Sequence, residues 1–410
     1  MLERLLGRHR LPPEAPTPIT PLALDDAGFI QNPYPALRRL RDEQPLHRAA
    51  NGAWVLSRHQ DVMDALANPR LRNSPSRYAA LHRRHAQRQL CAEIANNTLP
   101  FMDGEPHAQL RRVVAKSWIE HLRNSPPAVE AICLALLEKA VQKPTFDLLA
   151  EIATPLALRV TAELIGIPPA DHHAWHQHAQ AFFYLFASFP DAATRDRCND
   201  QLNWLRSQAL QLLRQRRAEP QTDYASALLE ATGGDCSDLL LADQLLLLFA
   251  DGIENVDRGI ASAVAAALQH PQQWQQICAQ PGLAHDATQE ALRFESPALY
   301  IARIVDTPFE CHGQTLKADE PVLLMLGSAN RDERRFDEPD RFNIHRKSNP
   351  FVSFGRGLHS CIGAALARSE IETTLRVLAS HQPLLKMCNR PLQWQARPAH
   401  RWLTALWVQA

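Results

Sequence analysis

Residues 237–270 carry the longest uninterrupted helical pattern in the chain. Ser237 or Asp238 can cap its start, and no proline appears until Pro271. At 1.5 Å per residue such a helix is about 50 Å long, enough to cross a whole molecule. The other elements of a fold that contains it have to be wrapped around it. The run at 239–250 is rich in leucine, but Asp243, Asp251 and Glu254 interrupt it. A buried core helix is therefore expected rather than a membrane span. At its middle stands Ala250-Asp-Gly-Ile-Glu-Asn255. A glycine beside acids is locally unfavourable in an apolar helix, and breaches of that kind mark functional positions.

A second stretch, Phe351 to Arg368, starts as an apolar, strand-like run. It then becomes glycine-rich, with Gly355, Gly357 and Gly363 around Cys361, and ends in Ala364-Ala-Leu-Ala, a strong helix former. Cys361 is thus expected on a loop just before a helix. Unpaired N–H groups and the positive dipole end at that place favour thiolate over thiol. Such a sulfur is either a nucleophile, with His359 as a nearby base, or a metal ligand. One soft donor on a glycine-rich loop is how a thiolate-bound haem iron is held.

Phe354-Gly-Arg-Gly-Leu-His-Ser-Cys-Ile-Gly363 resembles the haem-binding signature of the cytochrome P-450 superfamily, Phe-x-x-Gly-x-(Arg/His)-x-Cys-x-Gly, at every fixed position. The resemblance implies that Cys361 is the axial ligand of a haem b iron and that His359 reaches a propionate. Phe354 would pack near the sulfur, with Gly357 and Gly363 shaping the turn. His107 and Arg111 are four apart and share a helical face; two cationic donors suit an anion, which the resemblance identifies as a propionate. Arg303 resembles the second propionate-binding arginine. The family's oxygen-activating motif, (Ala/Gly)-Gly-x-(Asp/Glu)-Thr, maps onto Asp251, Gly252, Ile253, Glu254 and Asn255. Gly252 is then expected to open a groove over the iron, and Glu254 to feed protons inward. Asn255 stands where a hydroxyl is usual, and an amide relays protons poorly. Asp251 stands where a small residue is usual. Either the proton route is rebuilt with water and Asp251, or a substrate group completes it, or the reaction is not simple hydroxylation. Glu290 and Arg293 match the family's Glu-x-x-Arg, with Arg341 expected as the third member of a buried structural triad. Phe182, Phe183, Phe249, Ala298 and Leu299 are expected to meet substrate.

The rest of the chain bounds this reading. Lys+Arg and Asp+Glu are both 44, so neither nucleic acid nor an anionic membrane is expected as main partner. Eight cysteines contain no CxxC, which suggests a reducing compartment and a cytoplasmic protein. The N-terminus lacks an apolar run long enough for a signal or anchor. Arg77, Arg83, Arg84 and Arg88 read as a solvated face, with possible contact to substrate at the pocket mouth; His172, His173, His176 and His178 read as solvated rather than as a metal site. Residues 1–25 are expected to form a loose arm and 26–410 one mainly α domain with a small β lobe, haem lying between the long helix and the cysteine loop. The resemblance implies a monomeric haem-thiolate monooxygenase acting on a small organic substrate of specialised-metabolite or terpenoid type. Electrons would come from a separate ferredoxin and ferredoxin reductase, received near Arg112 and Arg356. The alternatives are a haem-thiolate enzyme doing desaturation, coupling or peroxide-driven oxidation, and a non-catalytic haem sensor.

Overall fold

The computed structural model describes residues 20–74, 90–186, 191–397 and 399–410. The helices that position the site are α1 (Tyr34–Glu43), α2 (His59–Ala67), α3 (Leu90–Asn97), α4 (Gly104–Asn124), α5 (Thr154–Ile165), α6 (His172–Ala179), α7 (Ala192–Ala218), α8 (Asp238–Leu268), α9 (Ala284–Phe294) and α10 (Ala364–His381). Helix α8 is the expected long helix. Its first turn is capped by Ser237, whose hydroxyl accepts the Leu240 N–H at 3.2 Å. Helices α5, α7, α9 and α10 pack against it. Leu241, Leu245, Ile253, Ile260 and Val264 are wholly buried there, each contributing about 1.5–3 kcal/mol by leaving water. A helix that is apolar on nearly every face belongs in the middle of a core. No helix among the described residues is long and apolar enough to cross a membrane.

The strands are β1 (Leu46–Arg48), β2 (Trp54–Leu56), β3 (Leu71–Arg72), β4 (Thr145–Asp147), β5 (Ile301–Val305), β6 (Phe309–Cys311), β7 (Gln314–Leu316), β8 (Pro321–Leu324), β9 (Lys386–Met387) and β10 (Trp407–Gln409). The small lobe is a five-stranded sheet in the order β1-β2-β8-β5-β3. Strand β2 runs parallel to β8, with Trp54 opposite Val322, and β5 is antiparallel to β8, with Arg303 opposite Val322. That pairing carries Arg303 to the lobe's boundary with the helical core.

Two local expectations change. The loose arm is not loose at its end: Leu22 bridges to Ala49 and Leu24 is buried, while residues 1–19 lie outside the described part. Helix α2 begins at His59, and its cap is remote: Asp332 accepts the His59 N–H at 2.8 Å. The run from Phe351 to Phe354 is not a ladder strand; Asn330 fixes it instead, accepting from Val352 N and donating to Ser353 Oγ, both at 2.8 Å. The basic positions 77, 83, 84 and 88 also lie outside the described residues.

Candidate active site

The cysteine loop is built by two left-handed glycines. Gly355 (φ 65°) and Gly357 (φ 74°) turn the chain where other residues would be strained. Gly363 has an ordinary φ of −78° and starts α10; it was expected to shape the turn, but it lies beside the sulfur instead, where an added Cβ would stand 3.9 Å from Sγ. The Cys361 N–H donates to the Phe354 carbonyl at 2.9 Å, which closes the loop onto the Phe354 ring.

Cys361 is accessible, yet its thiol is pushed up to about 12, first by desolvation and then by the Asp251 charge; Arg111 and Arg368 oppose this only in part. An accessible but desolvated sulfur sits in a recess. The protein alone therefore holds a thiol, contrary to the expectation from its helix-terminal position. A free nucleophile is poorly served by this setting. His359, the possible base, is engaged elsewhere: its Nε2 lies 3.3 Å from Asp103 Oδ1 and its ring stacks on His107 at 4.1 Å. A metal cation at the sulfur would deprotonate it outright.

The basic groups around the recess fit a dianionic macrocycle. Arg303 is 9% exposed and among the described residues its side chain bonds only the Ala302 carbonyl; burial pulls its pKa down to about 10. His107 is buried, with no hydrogen-bond partner at Nε2 among the described residues; burial, His359 and Arg111 pull its pKa down to about 4, so it is a neutral donor and not the cationic one expected from the sequence. Arg111 reaches across to Ser360, bonding its carbonyl at 2.6 Å and Oγ at 3.1 Å. None of the three has a carboxylate at ion-pair distance among the described residues. Asp103 is already held by His359 and by the N–H groups of Asn73 and Ser74. Arg303 is a buried cation with no carboxylate beside it among the described residues, which is costly, Arg111 is a half-buried one and His107 is a neutral donor; haem propionates are acceptors that would satisfy all three. The residues present thus fit haem with Cys361 as its thiolate.

On the facing helix, Asn255 donates from Nδ2 to Asp251 Oδ1 at 2.5 Å and accepts from the Trp402 indole at 3.1 Å. Glu254 is buried between His176 (3.5 Å) and Arg258 (3.9 Å). Burial pushes its carboxyl up, but the hydrogen bond from His176 and the Arg258 charge outweigh this and hold it below its ordinary range. Helix α8 runs as continuous α-helix through Gly252. Its glycine serves close packing: an added Cβ would lie 3.0 Å from Thr161 on α5, whose hydroxyl bonds the Gly252 carbonyl at 3.2 Å. Gly252→Val should therefore cost about 1–3 kcal/mol by overpacking. Thr161→Ala should return part of it in urea titrations.

Several expected pocket residues are walls rather than lining. Phe182 and Phe183 are fully buried, the latter edge-on to Trp402 at 4.8 Å. Phe249 packs edge-on to Trp175 at 5.2 Å. Leu299 points into the sheet lobe's core with Val55 and Leu323, while its neighbour Ala298, half-buried, bridges to His400. Successive residues of an extended chain face opposite sides, so only one of this pair can face the recess. Phe101 and Phe186, in contact at 4.9 Å, keep accessible surface instead. Trp402, His400 and Asp103 were missed because each acts through a partner far away in sequence; His176, expected to be solvated, has a side chain only 20% exposed because it packs against Glu254. His400 is a neutral imidazole, its pKa pulled down to about 3 by burial and by Arg397.

Glu290 and Arg293 form the expected bidentate pair at 2.7 and 2.8 Å. The second guanidinium is Arg346, whose Nε lies 3.0 Å from Glu290 Oε2, and not Arg341. The Arg341 side chain is 65% exposed and pairs with Glu338; only its backbone carbonyl joins the cluster, accepting from Arg293. Helical spacing named the first two members, but the third comes from an irregular segment, where no period selects among arginines.

The family model "Cytochrome P-450" matches residues 283–381. A Bacillus subtilis (strain 168) protein described as a cytochrome P-450 is 32% identical over 397 residues, covering 92% of this chain and 94% of its own. The 20-oxo-5-O-mycaminosyltylactone 23-monooxygenase of Streptomyces fradiae is 31% identical and covers 85% and 82%. Among solved structures, CalO2 superposes with a TM-score of 0.89 at 29% identity, over 95% of this chain and 99% of that one. P-450 BioI, in complex with a hexadec-9Z-enoic acid ligated acyl carrier protein, gives 0.85 at 25% identity, over 94% and 100%.

Proposed function

Because the chain belongs to the cytochrome P-450 family, whose members bind haem b and oxygenate their substrates, we propose that it oxidises a C–H bond of a specialised metabolite with electrons from a separate ferredoxin and its reductase. Bound haem supplies the chemistry: dioxygen is split, one oxygen enters the substrate and the other leaves as water, at the expense of two electrons and two protons. The observation that carries the reading is an accessible but desolvated sulfur on a loop that Arg111 touches at Ser360 and His107 touches at His359, together with the buried Arg303 guanidinium that has no carboxylate beside it among the described residues. Those residues hold the group, Cys361 binds its iron, and Phe101 and Phe186 exclude water from the side where substrate enters. One relative is named for polyketide biosynthesis, one for biotin biosynthesis and one as a nocardicin C N-oxygenase, which supports a specialised metabolite without selecting one class of it.

The test is a spectral titration of the ferric protein against a compound panel, followed by mass spectrometry of turnover products with a surrogate ferredoxin system. A ligand that expels water from iron shifts the Soret band and identifies the class; products without added oxygen would favour desaturation or coupling. Arg112 and Arg356 are exposed on the face of the cysteine loop, beside Leu358, which is 72% exposed. An acidic ferredoxin suits that patch. Alanine variants at both positions should slow electron transfer with unchanged haem content; an unchanged rate argues against docking there.

A further inference from the structure

The side chains on α8 assign an acid that the family motif does not. An indole N–H is a donor only, so the Asn255 atom 3.1 Å from Trp402 Nε1 is the amide oxygen. The amide nitrogen then faces Asp251 Oδ1 at 2.5 Å. That N–H needs an acceptor, so Oδ1 carries no hydrogen. A proton on Asp251 must reside on Oδ2, which has no protein partner among the described residues. Asp251 is half-buried on the side of α8 whose charge reaches Cys361.

Resting on the haem-thiolate reading, the geometry points to Asp251, oriented by Trp402 through Asn255, as the residue that delivers protons to the reaction space in place of Glu254. Asp251 Oδ2 releases its proton towards the dioxygen site, the resulting carboxylate keeps the Asn255 N–H bond, and a proton taken from water restores the acid. Dioxygen is the oxidant and the ferredoxin the reductant, as above. Two carboxyls three residues apart are pushed opposite ways. Burial raises Asp251, while His176, Arg258 and Arg397 hold Glu254 as an anion. Such separation distinguishes a proton donor from a fixed charge. Asn255 is then a positioning residue, and the absent threonine hydroxyl is not missed.

Asp251→Asn should keep the red-shifted carbon monoxide band of the reduced protein but lose one protonated-carboxyl band from its infrared spectrum. Its product formation should fall about 10²-fold, with the electrons appearing as hydrogen peroxide. Asn255→Leu, which removes the N–H donor, should keep that infrared band and shift its frequency. Glu254→Gln should leave the band in place and produce the smaller loss of coupling. If Asp251→Asn leaves both infrared band and coupling unaltered, or Glu254→Gln removes the band, the assignment is overturned. A wild-type holoprotein without the red-shifted carbon monoxide band would instead sink the haem-thiolate reading beneath it.

Discussion

Cys361→Ser abolishes the far red-shifted band of the reduced, carbon monoxide-bound protein and reduces oxidative turnover to background. Serine offers a hard oxygen whose proton is far more firmly held, and it cannot supply the electron donation by which thiolate favours O–O cleavage. The fold should not notice. The bond from the Cys361 backbone N–H to the Phe354 carbonyl is kept in the variant, and α10 begins at Gly363. Apoprotein stability should shift by no more than about 0.5 kcal/mol, as at other accessible positions. Carbon monoxide difference spectra, haem content and urea titration of one preparation separate the two effects. A serine variant that kept the band, or full turnover, would end the account.

Glu290→Ala should cost about 3–5 kcal/mol, because it strands buried guanidinium groups without their carboxylate. The Arg293 side chain is 0% exposed and that of Arg346 is 8% exposed, and both bond Glu290. Glu290 also accepts the Asn343 N–H at 2.8 Å, so its loss loosens the segment leading to the cysteine loop as well. Arg346→Ala should also destabilise strongly. Arg341→Ala should cost about 0–1 kcal/mol, as expected for an exposed ion pair. Urea titration of the three apoproteins measures the gap. If Arg341→Ala proved the costlier arginine change, Arg341 and not Arg346 would be the buried partner.

The contrast between those arginines shows how far the chain could be read without coordinates. Helical period and loop composition are local, so α8, the cysteine loop, the His107/Arg111 face and the Glu290/Arg293 pair were legible from spacing. Arg346, Trp402 and Asp103 were not, because their partners lie 56, 147 and 256 residues away. The contact between Gly252 and Thr161 was not legible for a related reason. A glycine in a helix signals a close approach, but only the position of Thr161 says which neighbour approaches. Leu299 and Ala298 were taken together, although adjacent extended residues cannot share a face.

The order of strands in the small lobe bears on how the chain is made. Strand β2 has its parallel neighbour β8 at Pro321–Leu324. A nascent chain leaving the ribosome at about 5–20 residues per second therefore exposes Trp54, Val55 and Leu56 for roughly 15–50 s before that neighbour emerges. An apolar strand edge left open that long is a site for self-association. Recovery of intact protein should accordingly rise with slower, cooler expression or with holdase chaperones. The same delay means that Arg303 is set in place only after the two ends of the chain have met.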